Sequence, residues 1–272
     1  MIRTSQIIAA LTLCAMAIPA PERAFAQDIE QNSRLDRIIA SKLLKVCVWP
    51  DYYGISYRNP KSGLLDGIDI DMANALGADL GATVEFVDSS FARLADDVLA
   101  AQCDVAMFAI GVTPSRQKVL RFTAPHLVSD IYAITTRSNR RIRSWNDIDK
   151  PGIRVAVAKG TLHEPIMRDK LQHASLVVLD TPHAREQEVE SGRADVFMTD
   201  YPYSRRMLDN ADWARLIAPD AVYHLTPYAY ALAPGDERWY ARLQDFVATV
   251  KADGRLAAAA ERHQLSTIVK TR

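Results

Sequence analysis

The sequence lacks an excess of charge of either sign. Its 272 residues include 33 Lys and Arg against 33 Asp and Glu, and its formal net charge is zero. A chain without net positive charge has no general attraction to nucleic acid or to an anionic membrane surface. Charged residues make up 24% of the chain and hydrophobic residues 49%, which is a globular composition and not a disordered one. We therefore expect a soluble globular protein that does not bind nucleic acid.

Cysteine is scarce, and several common catalytic motifs are absent. Three Cys are too few for a disulfide scaffold or a thiolate zinc cluster. The sequence contains no nucleophile elbow, no Walker loop and no GxGxxG fingerprint. Its six His, at positions 126, 163, 173, 183, 224 and 263, form neither an HxxxH nor an HExxH pattern. We therefore expect no metal site and no cofactor.

One apolar run lies at the N-terminus. A basic start at residues 1–3 precedes an apolar run at 7–18, and Ala24-Phe25-Ala26 has the small-x-small pattern of a signal-peptidase site. The run is too short to span a bilayer. Leu13 stands before Cys14, where a lipoprotein signal has a small residue. We predict cleavage after Ala26, at the end of a signal peptide at 1–26, and export to the periplasm. A buried N-terminal helix is the alternative.

Strand and helix patterns alternate along the rest of the chain. Strands are predicted at 44–49, 83–87, 104–110, 130–136, 154–158, 176–179, 195–199 and 228–232. Helical periodicity between them, as at 68–80, favours largely parallel sheets that are covered by helices. The alternation pauses at a basic loop, 137–143, and then restarts. This pause indicates two α/β units.

The helical stretch at 238–263 needs a sheet to cover, so we expect the chain to return to the first unit near residue 228. The predicted lobes are then 27–134 together with 228–272, and 135–227. Two crossing strands, near 131–136 and 228–233, are expected to form a hinge over a cleft. Ligand sites in open α/β sheets lie beyond the carboxyl ends of strands, so the residues after each strand are the candidates for binding.

The residues that follow the predicted strands are largely aromatic and include one cation and one anion. Those of interest are Trp49, Tyr52, Phe91, Ala109, Gly111, Arg116, Thr161, Leu162 and Asp200. Arg116 lies in the first turn of a helix that Thr113 caps, where free N–H groups also attract a carboxylate. A guanidinium pairs with both carboxylate oxygens, and Asp200 offers a partner for an ammonium. Such a set suits a small zwitterion.

Four motifs, in this order, resemble the periplasmic solute-binding proteins of family 3, the amino-acid-binding components of ABC transporters. They lie at 67–72 (GIDIDM), 103–116, 157–164 and 192–200. The resemblance implies a two-lobed periplasmic binding protein fold of type II that closes on its ligand by hinge motion. It also implies a monomer that passes a small solute to an inner-membrane permease.

The resemblance gives the candidate residues specific roles. Arg116 corresponds to the carboxylate-binding arginine of the family, and Asp200 to its ammonium-binding aspartate. Thr161 and the N–H of Leu162 lie where the second lobe meets the carboxylate. The alternatives from the residues alone are a helix cap for Asp200 and an ordinary helix-surface position for Arg116.

The side-chain pocket departs from the family pattern. Tyr52 and Phe91 match the family's pocket walls, with burial in the core as the alternative for Phe91 and for Trp49. Ala109 and Gly111 stand where many members have hydroxyls, and Trp49 stands where many have an acid. These three departures make the pocket more apolar, so we expect an aromatic or otherwise hydrophobic ligand in preference to a basic one.

A second resemblance is to the periplasmic cyclohexadienyl and arogenate dehydratases, which are enzymes on the same scaffold. The segments 33–38, 51–52, 56–58 and 198–200 carry it. These enzymes use a carboxylic acid of the second lobe as general acid, and Glu164 falls at the matching position. Thr161-x-x-Glu164 is equally a capping box. We therefore predict a binding protein that is not an enzyme, with a prephenate or arogenate dehydratase second and a ligand-sensing subunit for a membrane partner third.

Cys47 and Cys103 remain after signal cleavage and lie near the starts of two strands that we expect to be neighbours. In an oxidising compartment we predict a disulfide between them, with two buried free thiols as the alternative. Closing a loop of about 57 residues contributes roughly 4 kcal/mol in the chain-entropy model.

Overall fold

The computed structural model describes residues 33–181 and 183–270, so the predicted signal peptide lies outside the described residues. The helices are α1 Arg34–Ser41, α2 Ile68–Leu80, α3 Leu94–Leu99, α4 Pro114–Gln117, α5 His163–Lys170, α6 Ala184–Glu190, α7 Tyr201–Asn210, α8 Glu237–Ala252 and α9 Arg255–Arg262. The strands are β1 Leu43–Val48, β2 Tyr57–Arg58, β3 Leu65–Asp66, β4 Thr83–Asp88, β5 Val105–Gly111, β6 Arg121–Phe122, β7 Leu127–Ser129, β8 Ile131–Thr136, β9 Arg154–Ala158, β10 Ser175–Leu179, β11 Val196–Asp200, β12 Ala214–Ile217 and β13 Thr226–Leu232.

Two mixed sheets organise the chain. The first has the order β4-β1-β5-β13-β6, with β7 paired to β13, and the second has the order β10-β9-β11-β8-β12. In each sheet three strands run parallel, β4-β1-β5 and β10-β9-β11, and the remaining pairs are antiparallel. The α/β architecture and the parallel central strands are as predicted. The antiparallel members, including β12, were not expected from the sequence.

The chain crosses between the sheets just ahead of β8 and again ahead of β13. All of β8 pairs within the second sheet and all of β13 within the first. The segments that cross therefore precede these strands, whereas the sequence placed the hinge in the strands themselves. The return of β13 to the first sheet brings α8 and α9 back against α1 and α2.

Local chemistry explains several element boundaries. The helix α2 spans the predicted residues and ends where Gly81 takes a left-handed conformation with φ of 60°. Thr113 caps α4, because its hydroxyl accepts the N–H of Arg116. Gly254, at φ of 86°, separates α8 from α9.

The core of the first sheet is fully apolar at β5, whose seven residues are all buried. Cys47 on β1 and Cys103 before β5 form a disulfide with their Cα atoms 5.5 Å apart, which confirms the predicted pair. Trp239 of α8 is buried over this region and donates its indole N–H to the carbonyl of Asp104 at 2.9 Å. Among the described residues, no helix has both the length and the apolarity needed to cross a membrane.

Candidate functional site

The candidate site lies where the carboxyl ends of strands from both sheets meet. Trp49 follows β1 and Phe91 follows β4 in the first sheet, while Thr161 follows β9 and Asp200 ends β11 in the second. The structure brings all four to the walls of one inner cavity. This placement follows from the rule that ligand sites in open α/β sheets lie beyond the strand ends.

An aromatic cluster forms the first-sheet side of this site. The ring centroids of Trp49 lie 5.3 Å from Tyr52 and 5.2 Å from Phe91, and those of Tyr52 and Phe91 are 5.9 Å apart. Tyr203 of α7 approaches Tyr52 from the second-sheet side, with centroids 6.5 Å apart. Tilted and edge-on pairs at these distances are favourable for aromatic rings. The three predicted aromatic residues therefore contact one another and reach across to the second sheet.

Asp200 is buried at the centre of the contact between the two sheets. Its Oδ2 accepts hydrogen bonds from the hydroxyls of Tyr52 and Tyr228, the latter at 2.8 Å, and its Oδ1 accepts the N–H of Tyr203 at 3.2 Å. Burial raises the pKa of Asp200, and the two tyrosine hydroxyls oppose that rise. The Tyr203 contact is the helix cap that the sequence offered as an alternative. A carboxylate accepts about four hydrogen bonds, so roughly one position is left for a ligand donor.

Arg116 crosses from the first sheet to the second. Its Nη1 donates to the carbonyl of Gly111 at 2.9 Å and its Nη2 to the carbonyl of Gly160 at 3.0 Å. The guanidinium carbon lies 5.2 Å from the ring centre of Phe91. Partial burial lowers the pKa of Arg116 to about 10. Among the described residues, no carboxylate lies within ion-pair distance of Arg116. Arg116 is therefore a desolvated cation whose hydrogen bonds within the described residues go to backbone carbonyls.

Two adjoining cavities open beside the aromatic cluster, and neither Arg116 nor Gly111 borders them. The outer cavity has a volume of about 280 Å³ and the inner one of about 10 Å³. Both are bordered by Trp49, Phe91, Thr161, Arg185 and Tyr203. The outer cavity has the volume for a small amino acid or carboxylate, whereas the inner one is a narrow extension beneath it.

The remaining predicted binding residues lie at different depths. Thr161 borders both cavities, but its hydroxyl donates to the carbonyl of Ala158 at 2.7 Å. Leu162 borders the inner cavity, and its methyl group packs so closely on Gly111 that a Cβ there would lie 2.8 Å away. Ala109 borders neither cavity. Its N–H donates to the buried carboxylate of Asp69 at 2.7 Å, which holds it in the core of the first sheet.

Glu164 borders neither cavity. Its Oε2 accepts the N–H of Gly160 at 2.9 Å, and its Oε1 accepts from Arg168 at 3.1 Å. The capping box predicted for Thr161 and Glu164 differs in detail, because α5 begins one residue later than that pattern requires and Leu162 is its N-cap. Glu164 therefore caps this turn through Gly160, and in this conformation it does not reach the site.

Sequence reasoning missed Arg185, Glu186 and His163, whereas Tyr203 lies shortly after a predicted strand. Arg185 and Glu186 of α6 form a buried ion pair with Nε and Oε1 2.7 Å apart, and Tyr203 and His163 complete the wall of the inner cavity. Charged residues on a short helix are ordinarily exposed, so Arg185 and Glu186 gave no signal. The strand-end rule does apply to β10, after which Asp180 borders the outer cavity.

Comparison with known proteins identifies the family of this chain. The family model of the bacterial extracellular solute-binding proteins, family 3, matches residues 44–266. The chain belongs to this family. A cyclohexadienyl dehydratase of Pseudomonas aeruginosa is 33% identical over 208 residues, covering 76% of this chain and 77% of the relative. An ABC transporter arginine-binding protein of Escherichia coli (strain K12) is 24% identical over 209 residues, covering 76% and 83%.

A solved structure has the same fold. It is that of an ancestral amino acid-binding protein, a precursor of cyclohexadienyl dehydratase, and it aligns with a TM-score of 0.78 at 28% identity. The alignment covers 85% of this chain and 99% of the ancestral chain. The two-lobed binding-protein fold is therefore confirmed, and family 3 includes relatives of both kinds, binding proteins and an enzyme.

Proposed function

We propose that this protein captures a small carboxylated solute, such as an amino acid, in the cleft between its two sheets. The observation that supports this proposal most directly is Arg116. A desolvated guanidinium without an acidic partner is destabilised, and a ligand carboxylate would supply the missing charge in a bidentate pair. Carboxylate binding is then favoured over binding of a cation or an uncharged sugar.

Ligand capture in this scheme is coupled to closure of the two lobes. Contacts that cross between the sheets already include the bond from Arg116 to Gly160 and the bonds from Tyr52 and Tyr228 to Asp200. A carboxylate that takes the place of the Gly160 carbonyl would form a stronger, charge-assisted bond to Arg116. Thr161 and Asp200 of the second lobe would then complete the site. Such a ligand shifts the population toward the closed form.

The setting of this activity follows from the family and the N-terminal sequence. We infer export to the periplasm with cleavage after Ala26, two lobes whose boundaries lie just ahead of β8 and of β13 in place of the expected 134/135 and 227/228, and delivery of the solute to an inner-membrane ABC permease. The bacterial extracellular family supports the export, and the two sheets support a two-lobed division of the chain. The Cys47–Cys103 disulfide is in keeping with an oxidising compartment.

A thermal-shift screen of residues 27–272 tests the proposal. The panel contains the common L-amino acids, aromatic carboxylates and polyamines. We expect a carboxylated solute to raise the melting temperature, since a ligand at about 100 times its Kd stabilises the folded state by about 2.7 kcal/mol. The largest shift coming from a polyamine would contradict a site built around Arg116.

A cyclohexadienyl dehydratase activity is the second candidate, which the 33% identity to such an enzyme supports. The orientation of Glu164 opposes it, because a general acid must come within hydrogen-bonding reach of the leaving group. Incubation with prephenate and detection of phenylpyruvate by absorbance decides between the two. Turnover that is lost in Glu164→Gln would establish the enzyme, and we expect no turnover.

A further inference from the structure

His163 is a buried polar side chain at the inner cavity with no hydrogen-bonding partner. It is the first residue of α5, is 6% exposed, and borders the inner cavity together with Thr199, Asp200 and Arg185. Neither Nδ1 nor Nε2 makes a hydrogen bond within the described residues. The backbone of Thr199 faces the ring and favours its protonated form, but without ordinary hydrogen-bond geometry.

A buried polar group without a hydrogen-bonding partner lowers the stability of the folded protein. Leaving a buried donor or acceptor unpaired costs about 1–3 kcal/mol, so such groups are rare in folded proteins. Three other such groups of the described residues, Nδ1 of His126, the hydroxyl of Tyr230 and Nε of Arg215, border neither cavity. His163 differs from them because its side chain borders the inner cavity.

The ring of His163 is an uncharged donor and acceptor. Burial, together with the charges of Arg185 and Arg116 and a smaller contribution from His224, lowers its pKa to about 3. A neutral imidazole offers one N–H donor and one nitrogen acceptor. It therefore supplies hydrogen bonds to a ligand but no charge.

The charged groups around His163 already have partners. Arg185 pairs with Glu186 and donates to the carbonyl of Met198 at 3.1 Å, while Asp200 accepts three hydrogen bonds. The last acceptor position of Asp200 would go to the ammonium of the solute and Arg116 would take its carboxylate, so a further charged group would be buried here without a counter-ion, which is unfavourable. A hydroxyl or carboxamide would be satisfied by the imidazole alone.

We propose that His163 determines specificity by hydrogen-bonding an uncharged polar group, a hydroxyl or a carboxamide, on a carboxylated solute. This inference rests on the proposed function, since it needs the solute in the cleft. It narrows the solute class to molecules that combine a carboxylate for Arg116 with an apolar or aromatic body and a neutral hydrogen-bonding group.

Isothermal titration of residues 27–272 with matched amino acids tests this role. The pairs are L-tyrosine with L-phenylalanine and L-glutamine with L-leucine, and L-arginine is the charged comparison. We expect the polar member of a pair to bind at least about tenfold more tightly, as one hydrogen bond to an otherwise unpaired buried group warrants. In His163→Leu the preference should fall below about threefold, while the melting temperature of the ligand-free protein is not lowered.

His173→Leu is the matched control, because it makes the same chemical change at an exposed position. A preference that persists in His163→Leu, or arginine binding more tightly than glutamine to the wild-type protein, would overturn the inference. A third outcome separates the two proposals. If phenylalanine or leucine binds as tightly as its polar partner and Arg116→Met abolishes that binding, the role of His163 is overturned and the proposed function stands. Absence of binding by all five solutes overturns both.

Discussion

Two arginines of the cleft, Arg185 and Arg116, are in opposite electrostatic states. Arg185 is buried on α6, forms an ion pair with Glu186, and lies 4.3 Å from the ring centre of Tyr203. Burial alone would lower its pKa, but Glu186 and Tyr203 raise the pKa above its usual value. Arg116 has carbonyls and a ring for partners and a lowered pKa.

The difference separates a structural charge from one that is available for binding. A paired and hydrogen-bonded charge is part of the folded state, and removing its partner leaves an uncompensated ion. A cation that only carbonyls surround loses little when it exchanges one of them for a carboxylate. Arg185 should therefore matter to folding and Arg116 to ligand binding.

Replacing Arg185 with Met should have the largest effect on stability. Glu186 would be left buried without its counter-ion, which costs about 3–5 kcal/mol in comparable cases. Urea unfolding of the single variant and of Arg185→Met/Glu186→Leu measures this cost. The double variant should recover most of the lost stability, since an apolar pair of similar volume replaces a buried ion pair at little cost. Equal instability of both variants would show that the ion pair is not the source of the loss.

Replacing Arg116 with Met should act on binding and leave folding intact. The variant loses a charge-assisted bond to the ligand, worth about 1.5–3 kcal/mol or roughly 10- to 150-fold in Kd. Titration calorimetry gives the affinity, and thermal melting of the ligand-free protein should show no loss of stability. Arg116→Lys is the matched variant and should bind with intermediate affinity, because it keeps the charge but not the bidentate geometry. Unchanged affinity in Arg116→Met would remove this residue from the site.

The features that could be predicted from the sequence are those that depend on strand ends and short motifs. Helical periodicity predicted α2, capping chemistry predicted the cap at Thr113, and the expected pairing of two strands predicted the disulfide. The strand-end rule predicted that Trp49, Phe91 and Asp200 meet. The bond from Arg116 to Gly160 and the burial of Arg185 depend on how the two sheets pack, which local patterns do not encode. His163 shows the same limit, since a lone His at a helix start gives no sign that it will be buried without a partner.

Gly160 offers a way to test closure without touching a charge. It follows β9 at φ of 75°, and a Cβ there would lie 2.6 Å from the backbone of Ala92, which belongs to the first-sheet side. Gly160→Ala should therefore hinder closure and weaken ligand binding about tenfold, as the loss of favourable lobe contacts implies. Gly192→Ala is the control, because Gly192 has the same φ with nothing within 4 Å. Small-angle scattering with and without ligand should show less compaction in Gly160→Ala only; equal compaction in both variants would contradict a contact at this point.

The smallest effect is expected at the mouth of the outer cavity, where His183 precedes α6 and Asp51 follows β1. Their Nε2 and Oδ1 atoms lie 3.3 Å apart, and the hydrogen bond to Asp51 raises the pKa of His183, with Glu186 contributing and Arg185 opposing. A raised pKa means that protonated His183 favours the closed form. The stabilisation that protonated His183 provides is complete below the ordinary histidine pKa of about 6.5. It is lost as pH rises through the raised pKa of the folded protein.

Ligand affinity should therefore fall by less than about fivefold between roughly pH 5 and pH 9, because exposed ion pairs contribute little. His163 remains neutral across this range and adds no slope, since its pKa is about 3. Calorimetric titrations across the range should show a flattened profile in His183→Gln and an unchanged one in His173→Gln. The same slope in both variants would place the pH dependence at a group other than His183.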